Sequence, residues 1–127
     1  MIITELKPYG LIKAKLNKKE KIGIVSCNAC AKMCETGGKK AMKELALRLR
    51  KDGYNVIDTD LIGRACDFGS LKAGQLHGKT IIVLACDAGV YNLRKLFPKR
   101  KIIAGLDTVG LGAFDKKGNL NLVRRFK

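Results

Sequence analysis

A chain of 127 residues fits one hydrophobic core and leaves little room for a second. With 46% hydrophobic and 29% charged residues it has the make-up of a folded soluble domain, while 26 Lys and Arg against 11 Asp and Glu give a formal charge of +15. No apolar run approaches the ~20 residues that cross a bilayer, and the opening MIITELKPYG lacks a basic stretch followed by an apolar one, so neither a membrane span nor a secretory leader is expected and the expected location is cytoplasmic.

Leu6–Leu16 reads as either a helix or an edge strand. Lys21–Cys27, KIGIVSC, is the first strong strand signal and runs straight into a loop holding Cys30 and Cys34. Gly37 and Gly38 follow, and Lys39–Asp52 is predicted as a helix, because Met42, Leu45, Ala46 and Leu49 recur at helical spacing before a stop at Gly53. Tyr54–Asp58 is predicted as a second strand. Leu61–Gly78 is loop-like around LIGRACDFGS, with a short helix at Leu71–Leu76. Lys79–Cys86, KTIIVLAC, is apolar on both faces and reads as a buried strand. Gly89–Phe97 is predicted as a helix that Pro98 ends, and Lys101–Leu106 as a fourth strand. Ala113–Phe126 alternates around LysLysGlyAsn, the pattern of a hairpin.

Strands alternating with helices imply an α/β fold: one domain over residues 1–127, built on a mainly parallel sheet of about four strands with flanking helices and a C-terminal hairpin. The cysteines then fall at corresponding places. Cys27 ends the first predicted strand, Cys66 follows the second, and Cys86 ends the third, and sites in open α/β sheets form outside the carboxyl ends of the strands.

Five cysteines, an odd number in a cytosolic setting, argue against a disulfide framework and for metal or redox chemistry. Cys27-x2-Cys30-x3-Cys34 packs three thiols into eight residues, so one loop can wrap one centre, and Cys66 is the best fourth ligand. Four thiolates suit a tetrahedral zinc or a [4Fe–4S] cluster. Cys86 is a fifth sulfur, either an alternate ligand, a neighbour of the site, or a buried core cysteine. The spacing matches neither the bacterial ferredoxin run nor a zinc ribbon. His77 is the sole histidine, which excludes a histidine-rich metal site and favours a surface or turn role. Asp67 and Asp87 each follow a cysteine and read as turn starters, and Arg64 either sets a positive charge beside the thiolates or is solvated. Gly105, Gly110 and Gly112 precede no helix and form no dinucleotide fingerprint.

SerCysAsnAlaCysAlaLysMetCysGluThrGlyGly (26–38), ArgAlaCysAsp (64–67), LeuAlaCysAspAlaGlyVal (84–90), LeuPheProLys (96–99) and AlaGlyLeuAspThr (104–108) occur in that order. Together, over roughly residues 20–115, they resemble the methylenetetrahydrofolate reductase C-terminal-domain family, the small iron–sulfur subunit called MetV. The resemblance implies an accessory or electron-transfer module that partners a flavin-dependent methylenetetrahydrofolate reductase in one-carbon metabolism, with no catalytic residue of its own. It also implies that Cys27, Cys30, Cys34 and Cys66 correspond to the family's cysteines and Cys86 to the one in its LeuAlaCys-x-Ala-Gly segment. The family usually continues into a second cysteine-rich segment, and here no cysteine follows Cys86.

The functional expectation is a [4Fe–4S] cluster held by Cys27, Cys30, Cys34 and Cys66, with Cys86 adjacent, relaying single electrons to or from an acidic flavoprotein that the basic surface docks. Two other readings stand beside it. One is a structural zinc domain binding nucleic acid through its charge, although no stacking strand or recognition motif accompanies the basic residues. The other is a thiol redox enzyme using Cys27-x2-Cys30.

Overall fold

The computed structural model describes residues 1–72 and 76–126. Among them, four strands form a parallel sheet in the order β3-β2-β4-β5, made of β2 (Lys21–Cys27), β3 (Asn55–Ile62), β4 (Thr80–Leu84) and β5 (Lys101–Ala104). The register pairs Ile24 with Thr59 on one side and with Ile82 on the other. Every residue of β4 is buried, as an all-apolar strand covered on both faces requires. Ile22, Ile24, Val25, Ile81, Ile82, Val83 and Leu84 form the fully buried centre of the core.

Helix α3 (Gly38–Lys51) closes one face, burying Met42, Leu45, Ala46 and Leu49, the residues whose spacing marks its apolar stripe. It stops at Gly53, whose φ of +90° lets Tyr54 N–H reach back to the Leu49 carbonyl at 3.0 Å. Helix α5 (Asp87–Leu96) turns Gly89, Val90 and Leu93 inward. Two shorter helices, α2 (Cys30–Met33) and α4 (Phe68–Lys72), occupy the loops after β2 and β3.

A second, antiparallel sheet has the order β1-β6-β7, from β1 (Ile2–Leu6), β6 (Leu106–Phe114) and β7 (Leu120–Arg125). The expected C-terminal hairpin is β6–β7, turning through Asp115, whose carboxylate accepts from the Lys117 and Asn119 amides at 2.9 Å each. Those bonds hold the carboxyl below the usual carboxylate range, the Asn119 amide contributing most.

Several boundaries differ from those expected. Leu6–Leu16 divides into the end of β1 and a helix, α1 (Tyr9–Ala14), with only Ile12 buried. The stretch after Cys27 is not all loop, since α2 adds a helical turn. The second strand runs on to Ile62 because β2 offers partners as far as Cys27, so Leu61 and Ile62 belong to a strand. A short helix begins at Phe68, ahead of the Leu71–Leu76 expected, and residues 73–75 of that expected helix fall outside the described residues. The fourth strand ends at Ala104, and Leu106 opens β6 instead. β6 was hidden by its glycines, yet they are what the sheet needs: a Cβ on Gly110 would stand 2.0 Å from the Arg124 carbonyl oxygen, and one on Gly112 would stand 2.5 Å from Ile3 Cδ1. No helix among the described residues is long and apolar enough to cross a membrane.

Candidate metal centre

From β2 the chain moves outward to β3, then returns to β4 on the other side of β2. Strand order therefore reverses between β2 and β4, and a crevice opens where their carboxyl ends part. Cys27 is the last residue of β2. Ser26 pairs with Leu84, and two residues beyond Leu84 stands Cys86, the N-cap of α5. The two cysteines thus flank the switch point from neighbouring strands.

Cys66 reaches the same place from the β3–α4 loop. Asn28 N–H donates to the Ile62 carbonyl at 2.8 Å, holding the exits of β2 and β3 together. Ala65 N–H then donates to Cys27 Sγ at 3.4 Å, a buried contact that sets Cys66 one residue from the Cys27 sulfur. From the other side, Asn92 Nδ2 of α5 donates to the Ala65 carbonyl at 3.2 Å and the Cys66 carbonyl at 3.0 Å. Helix and loop approach this closely because residue 89 is glycine. A Cβ there would sit 2.8 Å from both the Ala65 and Ala85 methyls.

Electrostatics tie the three sulfurs together. Partial burial pushes the Cys66 thiol above its ordinary range, and the neighbouring Cys86 and Cys27 push it further, because each additional thiolate disfavours the next. Arg64 acts in the opposite direction, so its cation bears on the site. Grouped thiols that resist ionising alone are stabilised as thiolates when a cation binds them. A separate cavity of about 580 Å³, between the start of α3 and the ends of β2 and β3, is lined by Lys32, Lys39 and Lys40 together with Glu35 and Glu44 and by no cysteine.

The other two cysteines of the triplet lie on α2. Cys30 is its first residue and Cys34 its C-cap, with Cys34 N–H donating to the Cys30 carbonyl at 3.0 Å. Residues four apart share a helix face. The Cys34 thiol donates to the Ile2 carbonyl of β1 at 3.7 Å, which turns it toward the antiparallel sheet. Cys27, Cys66 and Cys86 are therefore drawn together, whereas the Cys34 sulfur has a backbone partner elsewhere. All five cysteines are free.

The remaining polar candidates have plain surroundings. Asp67 caps α4, accepting from Gly69 N–H at 3.1 Å and Ser70 Oγ at 3.2 Å. Asp87 occupies the first turn of α5, and its amide donates to Thr108 Oγ1 of β6 at 3.0 Å. His77 is exposed and pairs with Asp58 at 3.2 Å, in contacts separate from those of the cysteines. Asn92, which anchors the Cys66 loop, went unnoticed in the sequence. Its only signal there is an amide one turn along from Gly89 on the inward side of a helix. Ser26, next to Cys27 in the chain, also carries a fully buried hydroxyl, which has no hydrogen-bond partner among the described residues.

The donor chemistry fits a thiolate-bound centre, zinc or iron–sulfur, with Cys27, Cys66 and Cys86 close to one switch point and Cys30 and Cys34 on the helical turn that follows Cys27. Among the described residues no three His, Cys, Asp or Glu side chains stand ready as a metal cage, so holding a centre requires cysteine side chains to rotate toward it. No protein-family model, curated protein or solved structure matches the chain.

Proposed function

We propose that this protein is an iron–sulfur accessory subunit that passes single electrons to or from a flavin-dependent methylenetetrahydrofolate reductase. The observation that carries the reading is the meeting of Cys27, Cys66 and Cys86 from three separate strand ends at one switch point. The motif order shared with the MetV-like family supports the same assignment. Cys27, Cys30, Cys34 and Cys66 are the ligands this reading draws on, and Cys86, at the N-cap of α5 just beyond the end of the strand next to Cys27, is the adjacent or alternate one. A [4Fe–4S] cluster bound there supplies a one-electron carrier.

The protein's own groups shape that site. Ala65 N–H already points at the Cys27 sulfur, and hydrogen bonds to ligand sulfurs raise a cluster's potential. Asn92 holds the Cys66 loop in place, and Arg64 offsets thiolate charge. The +15 surface speeds encounter with an acidic partner.

Burial of Cys27 disfavours the Cys27-x2-Cys30 thiol enzyme, because an attacking thiolate must be accessible. Zinc shares the thiol donors, so metal analysis separates it. Protein purified without oxygen is expected to be brown, with iron and acid-labile sulfide in equal amounts. Colourless protein carrying one equivalent of zinc would refute the cluster.

A further inference from the structure

The β6–β7 hairpin exposes apolar side chains on both of its faces. Phe114 and Leu122 share one face through the pairs Phe114↔Leu120 and Gly112↔Leu122, while Leu111 stands on the other, opposite Arg124. The pairing steps from Leu111↔Arg124 to Gly112↔Leu122, which leaves Val123 as the extra residue of a bulge, 67% exposed. An antiparallel sheet ordinarily shows water one polar face. Here Leu111, Phe114, Leu122 and Val123 all remain exposed, and β7 is the free edge of its sheet.

Charge selects the occupant. Lys116, Lys117, Arg124 and Arg125 border these apolar residues. The one carboxylate of the turn, Asp115, is committed to the Lys117 and Asn119 amides and Asn121 Nδ2. Among the described residues Lys116, Lys117 and Arg124 form no ion pair, and Arg125 alone shares a cleft with carboxylates, those of Glu5, Asp87 and Asp107. A second copy pairing along β7 would set these cations against one another. Bulges and basic residues are devices that keep strand edges from pairing with themselves. An acidic partner meets no such repulsion.

We propose that the β6–β7 hairpin is the docking arm for an acidic protein that wraps its outer end, covering Phe114 and Leu122 on one face, Leu111 on the other and Val123 at the bulge, and pairing its carboxylates with Lys116, Lys117 and Arg124. This rests on the partner half of the reading above and adds the surface that performs it. The arm is rooted beside the thiols, since Thr108 Oγ1 of β6 accepts from the Asp87 amide next to Cys86. A partner seated on it is held at the cysteine side of the parallel sheet.

The test places a photo-crosslinking residue at Val123 of the full chain in its native cells, and at exposed Leu47 on α3 as the control. The expected product at Val123 alone is an adduct with a protein of net negative charge. That protein, purified separately, should bind the chain with a Kd raised at least tenfold by Leu122→Asp and by the pair K117E/R124E, and unchanged by Leu47→Asp, in variants that melt as the wild type does. An adduct with another copy of the chain, no adduct above the Leu47 control, or a Kd indifferent to both arm variants would overturn the proposal. A captured acidic protein without flavin leaves the docking arm standing and removes the reductase reading. A purified reductase whose binding ignores the arm variants does the reverse.

Discussion

The parallel sheet is covered on both faces, while the antiparallel sheet is left bare on both at its outer end. Ile24, Ile82 and their neighbours in the first are wholly enclosed, whereas Phe114, Leu122 and Val123 in the second face solvent. The first draws its stability from packed side chains, the second from a backbone ladder and a tight turn around Asp115. The contrast teaches where function can sit. A rigid sheet can hold three sulfurs at its carboxyl end without relying on them for its fold, and a ladder-held arm can offer apolar side chains because the core does not need them.

The sharpest way to break that contrast is to truncate one side chain in each sheet. Ile82→Ala should cost about 3 to 4 kcal/mol, while Leu122→Ala should cost about 0.5 kcal/mol, both read from urea unfolding midpoints. Equal losses would mean that the arm belongs to the core. Next in size is Asn92→Ala, which removes the clamp on the Cys66 loop. About 1 to 2 kcal/mol of stability should go, and bound iron should fall while the melting of the arm, followed by hydrogen exchange in β7, stays unchanged.

Smaller effects come from titration. The Cys66 thiol is raised above its ordinary range by burial first, then by Cys86 and Cys27. A raised thiol favours the neutral form in the folded state, so its contribution to stability is complete below the unfolded thiol pKa and is lost as pH rises through the folded value. In metal-free protein, iodoacetamide should therefore modify Cys66 slowly at pH 8 despite its exposure, faster in Cys86→Ser and slower still in Arg64→Ala. An unaltered rate in both variants would show that neither Cys86 nor Arg64 stands close to the Cys66 sulfur. The least effect is on Tyr9, pushed up to about 12 by burial, by its hydrogen bond to Asp52 at 2.5 Å and by that carboxylate's charge. Ultraviolet titration should find one tyrosine ionising near that value, and Asp52→Asn should lower it.

The covered sheet is legible in the sequence and the bare one only at its hairpin turn, for a physical reason. KIGIVSC and KTIIVLAC announce buried strands because both faces are apolar, and the spacing of Met42, Leu45 and Leu49 announces α3. β6 carries Gly110 and Gly112, which read as loop until their close approach to Arg124 and Ile3 is known. Among the described residues β1 pairs with no strand but β6, a hundred residues or more along the chain, so nothing local marks it as a strand. The site divides in the same way. Strand order alone assigns Cys27, Cys66 and Cys86 to one sheet edge, and spacing alone marks Cys34 as a further thiol of the loop after Cys27. Only the turn of α2 reveals its bond to Ile2. Asn92 and the Ala65 amide act through contacts between residues far apart in sequence, which no spacing rule detects.

The central claim is that sulfurs from separate strand ends serve one centre. Its most direct test is the electron paramagnetic resonance signal and iron content of reduced, anaerobically prepared protein, compared with single Cys→Ser variants at residues 27, 66 and 86. The account predicts a cluster signal in the wild type that is abolished or shifted by each of the three changes. A wild type without iron, or three variants that all keep the unaltered signal, would contradict it.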